Sequence, residues 1–150
     1  MAIRTEVFVE EQGVPVEAEQ DALDEVAYHY LLSEEQASQD YLATARLVIQ
    51  REIIQVDKNK RGKNEINQTR AQVKGKIGRV AVLQSERGKG LGKIIMKAMM
   101  AEGPQLGVTH YALHAQIQAL GFYEQLGFVA IGEPFLEEGI WHRKMVCPVH

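Results

Sequence analysis

Three alternating glycines in Arg87-Gly88-Lys89-Gly90-Leu91-Gly92 constrain this chain more than any other feature, because they join two differently patterned runs. Before them, Ile77 to Leu83 is apolar and reads as a strand. After them, Leu91, Ile94, Ile95, Ala98 and Met99 recur at i, i+3, i+4, i+7 and i+8, one apolar helix face. Gly103-Pro104 predicts where that helix stops. Glycines at 88, 90 and 92 let the backbone approach a ligand closely and adopt positive φ. Free N–H groups and the positive helix end then point into one volume, an anion site suited to phosphate or pyrophosphate. Arg87, Lys89 and Lys93 add formal positive charge.

Two common nucleotide motifs fail here. A P-loop needs Ser or Thr after Gly-Lys, whereas Gly92-Lys93 is followed by Ile94. A dinucleotide fingerprint needs a glycine where Lys93 stands. Arg-x-x-Gly-x-Gly remains, spelled Arg87, Gly90, Gly92. The plainer alternative, a turn that only closes a strand–helix corner, leaves the basic residues unexplained.

The rest of the chain predicts a single unit over 1–150. Ile3, Val7 and Phe8 mark a first helix over residues 3–12, ended by Gly13 and Pro15. Acidic residues follow at Glu17, Glu19, Asp21 and Asp24. Strands are expected over 26–32, 41–49, 77–83, 109–115, 128–131 and 139–146, with a helix over 117–126 closed by Gly127. The polar stretch 58–76, with Lys58, Lys60, Arg61, Lys63, Arg70 and Lys74, reads as a long hairpin connection whose flanks extend the strands. This order predicts a sheet carrying helices, antiparallel at its hairpins and with at least one crossover.

Composition narrows the class. With 150 residues, 45% hydrophobic and 25% charged, the chain is ordinary for a globular protein. No apolar run reaches the roughly 20 residues of a membrane span, and no signal-peptide core is seen, so a cytoplasmic location without membrane partners is expected. One cysteine, Cys147, excludes an internal disulfide and reads as an incidental thiol. A net charge of −3 and the lack of interleaved aromatics make stretch 58–76 a solvated loop rather than a nucleic-acid surface.

These residues resemble the GNAT superfamily of N-acetyltransferases. Residues 77–101 resemble its central acetyl-CoA motif. Gln116, Ala119, Tyr123, Gly127 and Phe128 fall where the family often shows Asn, Ala, Tyr, Gly and Phe. The run from Arg4 to Gln12, then Asp21, Asp24 and His29, and finally Gly139-Ile140-Trp141-His142 resemble a bacterial ElaA/YjcF-like subgroup. The resemblance implies an α/β (α+β) fold with a mixed, mostly antiparallel central sheet and helices on both faces. Relatives usually begin with a strand before the first helix, and this chain starts inside that helix. The first strand is therefore expected to be absent, and the open edge to invite a homodimer.

The resemblance also implies roles. Val80 and Val82 would offer backbone groups to the pantetheine arm of acetyl-CoA at a local bulge. Arg87, Gly88, Lys89, Gly90, Leu91, Gly92 and Lys93 would hold the pyrophosphate, and Gln116 would contact cofactor or substrate. Tyr123, with an ordinary pKa near 10, would protonate the departing thiolate. The residues alone leave Tyr123 open as a core tyrosine. Glu10, Glu11, His29, His114 and His142 are candidate bases, none singled out, and deprotonation through water is an equal alternative. No placed nucleophile is seen and no metal ligands are assigned, so direct attack of an amine on the thioester in a ternary complex is expected. The acceptor is a small-molecule or peptide amine. The rival reading is a non-catalytic acyl-CoA-binding or sensing module.

Overall fold

The structure is a computed structural model that describes residues 2–14, 27–33, 41–57 and 67–149. The acidic residues Glu17, Glu19, Asp21 and Asp24 and the basic residues Lys58, Lys60, Arg61 and Lys63 lie outside the described residues. Six strands, β1 (Tyr28–Ser33), β2 (Tyr41–Asp57), β3 (Asn67–Val82), β4 (His110–Gln116), β5 (Val129–Glu137) and β6 (Ile140–Pro148), form one sheet in the order β1-β2-β3-β4-β6-β5. Neighbours are antiparallel except β3 and β4, which run parallel. A parallel pair cannot be joined by a hairpin, and a helical crossover makes this connection.

The first helix, α1, is an α-helical turn, Ala2–Arg4, running into a π-helical stretch, Thr5–Glu11. Helix α2 is Leu91–Glu102, and helix α3, Leu120–Glu124, follows a 3-10 turn over Ile117–Ala119. Among the described residues no strand precedes α1, and β1 is an edge of the sheet.

The sheet buries both faces. On one, Ala43, Ala45 and Leu47 of β2, Ile77 of β3, Leu113 and Ala115 of β4 and Met145 and Cys147 of β6 meet Ile95, Met96 and Met99 of α2 and Tyr123 of α3. Cys147 is thus an interior thiol. On the other face, Ile3 and Val7 of α1 pack against Ala81. The period of two explains the split: Thr44 and Arg46, between the core residues of β2, point to the α1 side.

One boundary differs from the sequence reading, and two agree with it in finer detail. Residues 67–76 are strand, because β2 and β3 pair out to Asp57↔Asn67, so the C-terminal flank of the stretch 58–76 extends its strand as expected. Its polar content fits a strand, since buried Gly75 and Ile77 alternate with less buried Lys74 and Lys76. The helix over 117–126 is α-helical only at Leu120–Glu124. Helix α2 ends at Glu102, where Gly103-Pro104 predicts; Gly103 itself is right-handed, a 3-10 turn, Gly103–Leu106, follows, and Gly107 takes φ +87°. Gly103 is needed for space, because a Cβ there would overlap the Tyr111 hydroxyl, which donates to the Met100 carbonyl at 2.8 Å.

Candidate active site

The cleft arises where the parallel pair parts. β3 and β4 are in register only from Lys74↔His110 to Ile77↔Leu113. Beyond that point a bulge at Arg79, φ +52°, shifts the β2–β3 register, while β4 follows β6 to Gln116↔His142. The backbone of β3 past Ile77 is thereby outside the β4 ladder. A cavity of about 330 Å³ fills the gap. Phe8 and Gln12 of α1 cover it, Arg46, Lys76, Arg79 and Val80 line it from β2 and β3, and His114, Gln116, Tyr123, Glu137 and His142 line the opposite side.

The glycine turn opens α2 as its sequence predicts. Gly88 (φ +82°) and Gly90 (φ +76°) are left-handed, and Gly90 is the N-cap, with no side-chain cap. Gly92 has another reason to be glycine: a Cβ would lie 3.2 Å from Phe122, so the start of α2 rests directly on α3. The first helical bond is from Ile94 N–H to the Gly90 carbonyl at 3.1 Å, leaving the amides of Leu91, Gly92 and Lys93 without partners inside the helix.

The cations of the turn are arranged differently from the expectation. Arg87 spends both terminal nitrogens on the Glu11 carboxylate, at 2.8 Å each, and its Nε donates to the Val82 carbonyl at 3.1 Å. Lys89 pairs with Glu86 at 2.8 Å. Nearby carboxylates on α1 and on the 3-10 turn Gln84–Glu86 account for both. Exposed Lys93 forms no ion pair among the described residues. The anion-binding capacity of the turn in this state lies in the helix amides and Lys93.

Tyr123 is buried to 9% exposure and reaches the cavity from α3. Its ring meets Phe122 edge-on at 4.9 Å and Phe128 at 6.0 Å. Burial pushes its hydroxyl pKa up to about 12, which holds it in the neutral, protonated form. Gln116 lines the cavity where β4 meets the first helix: its Nε2 donates to Gln12 Oε1 at 2.9 Å.

The candidate bases separate. Glu10 and His29 do not line the cavity, and Glu11 is engaged by Arg87. His114 and His142 do line it, on either side of a carboxylate the sequence reading passed over, Glu137. His114 Nδ1 is 3.3 Å from Glu137 Oε1, and His142 Nε2 is 3.8 Å from Oε2. The His142 Nδ1 donates to the Ile140 carbonyl at 2.7 Å, since a carbonyl only accepts. Phe135 stacks on His142 at 5.9 Å and meets His114 edge-on at 4.9 Å. A signal for Glu137 existed. Glu138 (φ +49°) and Gly139 (φ +73°) form the two-residue hairpin turn, and this register puts Glu137 on the same face as His142.

A family model described as an acetyltransferase (GNAT) domain matches residues 9–149. The uncharacterized N-acetyltransferase YjcF of Bacillus subtilis is 32% identical over 148 residues, which cover 96% of this chain and 86% of that one. The crystal structure of an acyl-CoA N-acyltransferase from Pseudomonas aeruginosa superposes with a TM-score of 0.69 at 30% identity, covering 97% of this chain and 86% of the other. Escherichia coli ElaA superposes with a TM-score of 0.70 at 26% identity, covering 97% and 85%.

Proposed function

This chain belongs to the GNAT acetyltransferase family, and from that premise we propose that it moves an acetyl group from acetyl-CoA to a primary amine by direct attack in a ternary complex. The membership makes it an acyltransferase; the acetyl group, the amine and the route are our reading. The observation that carries it is the cleft between β3 and β4, with a glycine-built helix N-terminus on one strand's continuation and a buried, protonated tyrosine inside.

In this reading the amides of Leu91, Gly92 and Lys93, together with Gly88, Gly90 and the Lys93 ammonium, receive the pyrophosphate. Arg87 and Lys89 join by exchanging their carboxylate partners for it. The pantetheine arm runs along Val80 and Val82, whose amides lie past the end of the β4 ladder, and one of them polarises the thioester carbonyl. A neutral amine attacks that carbon, the C–S bond breaks, and the Tyr123 hydroxyl gives its proton to the departing sulfur. Gln116 orients the acceptor through α1. The described elements work as one unit, in the cytoplasm, and β1, an edge strand among the described residues, is where a second copy would pair.

The test is thiol release from acetyl-CoA across a panel of amines, with wild type beside Tyr123→Phe. Turnover by wild type that falls at least about a hundredfold in the variant supports the reading. Saturable CoA binding without turnover on any amine overturns it in favour of a non-catalytic acyl-CoA-binding module.

A further inference from the structure

Strand register gathers three titratable side chains on the face of the sheet that α1 covers. His142 of β6 is opposite Gln116 of β4 and opposite Phe135 of β5, so Glu137, two residues further on, is its diagonal neighbour across the hairpin. His114 shares that face of β4 with Gln116. The two carboxylate oxygens of Glu137 meet different surroundings. Oε1 is 3.3 Å from His114 Nδ1, and because a carboxylate only accepts, that nitrogen is the donor. Oε2 faces His142 Nε2 at 3.8 Å, beyond hydrogen-bond reach.

The tautomer of His142 is fixed by its own strand. Nδ1 gives its hydrogen to the Ile140 carbonyl at 2.7 Å, so in the neutral ring the lone pair is on Nε2. The ring is held in that orientation, 8% exposed and stacked on Phe135 at 5.9 Å with 20° between the planes. Two acceptors, His142 Nε2 and Glu137 Oε2, therefore converge in the cavity that Tyr123 also lines, with no hydrogen between them. A lone pair facing a carboxylate calls for a cationic donor. A primary ammonium carries three N–H groups on one charged centre, so it can serve both acceptors at once. A neutral donor could meet the same geometry only by leaving the carboxylate charge unbalanced.

We propose that Glu137 and His142 are the amine-receiving pair: Glu137 Oε2 holds the acceptor's ammonium, and His142 Nε2 is the general base that takes its proton. This deepens the acyltransfer reading and rests on it. The proton goes to the imidazole because an imidazole is a stronger base than a carboxylate. The imidazolium that forms keeps the Ile140 carbonyl on one nitrogen and Glu137 beside the other, and both favour its charge. The neutral nitrogen then attacks the thioester carbon, the C–N bond forms as the C–S bond breaks, and Tyr123 gives its proton to sulfur. The second proton shed by the nitrogen as the amide forms restores the Tyr123 hydroxyl through water, and His142 passes the first to solvent.

The experiment compares thiol release from acetyl-CoA with two acceptors of matched length: the alkylamine that wild type uses best, and its alkoxyamine analogue. Near neutral pH the first is an ammonium and the second is uncharged, so the second needs no proton removed before it attacks. His142→Asn keeps an amide N–H for the Ile140 carbonyl and removes the base. Its kcat should fall about a hundredfold or more with the alkylamine and about tenfold or less with the alkoxyamine. Glu137→Gln should raise KM about tenfold or more for the alkylamine and about threefold or less for the alkoxyamine. An equal loss on the two acceptors in His142→Asn, or an unchanged alkylamine KM in Glu137→Gln, overturns the proposal and leaves acyltransfer standing. Glu137 is exposed at the end of its hairpin strand, so its variant carries the test alone should His142→Asn not fold. Saturable CoA binding with no thiol release from any amine overturns both.

Discussion

The guanidinium of Arg87 and the carboxylate of Glu11 form a two-point ion pair, 2.8 Å at each contact, that ties the glycine turn to helix α1. One end of this bond belongs to the glycine turn and the other to the helix whose Phe8 lines the cavity. Any anion that draws Arg87 toward the α2 N-terminus must release Glu11, so the two sides of the cleft are mechanically joined.

Glu11→Gln should therefore bind CoA a few-fold more tightly at low ionic strength, as titration calorimetry would show, with the gain fading as salt screens it. The pair is exposed at 40% and 32%, so its loss should cost no more than about 1 kcal/mol of stability. The Arg87 hydrogen bond holds the Glu11 carboxyl below its ordinary 4.5. Its contribution is present above that value and is lost as pH falls through the lowered one. Chemical denaturation of both proteins at neutral and acidic pH should show the difference closing under acid.

Tyr123→Phe keeps the ring contacts with Phe122 and Phe128 and removes only the hydroxyl. CoA affinity and melting temperature should hardly change while kcat falls by about two orders of magnitude. With the hydroxyl raised to about 12, no alkaline fall in wild-type activity below that pH should trace to Tyr123. Burial favours the neutral phenol, so its contribution to stability is full below about 10 and is lost as pH rises toward 12. Loss of CoA binding in the variant would contradict this division of roles.

Gly90→Ala and Gly92→Ala should fail for different reasons. Nothing lies within 4 Å of a Cβ at Gly90, so the cost there is the left-handed backbone, about 1 kcal/mol, with weaker CoA binding from a disturbed N-cap. At Gly92 the backbone is permissive but Phe122 is 3.2 Å away. Phe122→Leu should rescue Gly92→Ala and leave Gly90→Ala unimproved in thermal melts.

Leu47 is wholly enclosed beneath α2, and Leu47→Ala should destabilise the fold by about 2–5 kcal/mol in urea titrations. Gly103→Ala should also destabilise, by about 1–3 kcal/mol, since Tyr111 must give up its bond to Met100 to make room. Tyr111→Phe should cost only about 1 kcal/mol and partly relieve the clash in the double variant.

Local patterning alone determined the order of helices and strands and the strand–turn–helix at Ile77 to Met99, because period and glycine placement are local quantities, whereas the reading of Tyr123 as a donor came with the family resemblance. The end of α2 was legible at Gly103-Pro104, but the reason a glycine is required there was not: it answers to Tyr111, a strand away. Only the tertiary structure decided that Arg87 faces Glu11 rather than open space, and that Gln116 bonds Gln12. It alone gathered Glu137, His114 and His142 around one cavity. Those partners are far apart in sequence, and strand register across β4, β6 and β5 brings them together. The cleft has the same origin: nothing near Ile77 or Leu113 in the chain announces that β3 and β4 part there, since parting is a property of the pair.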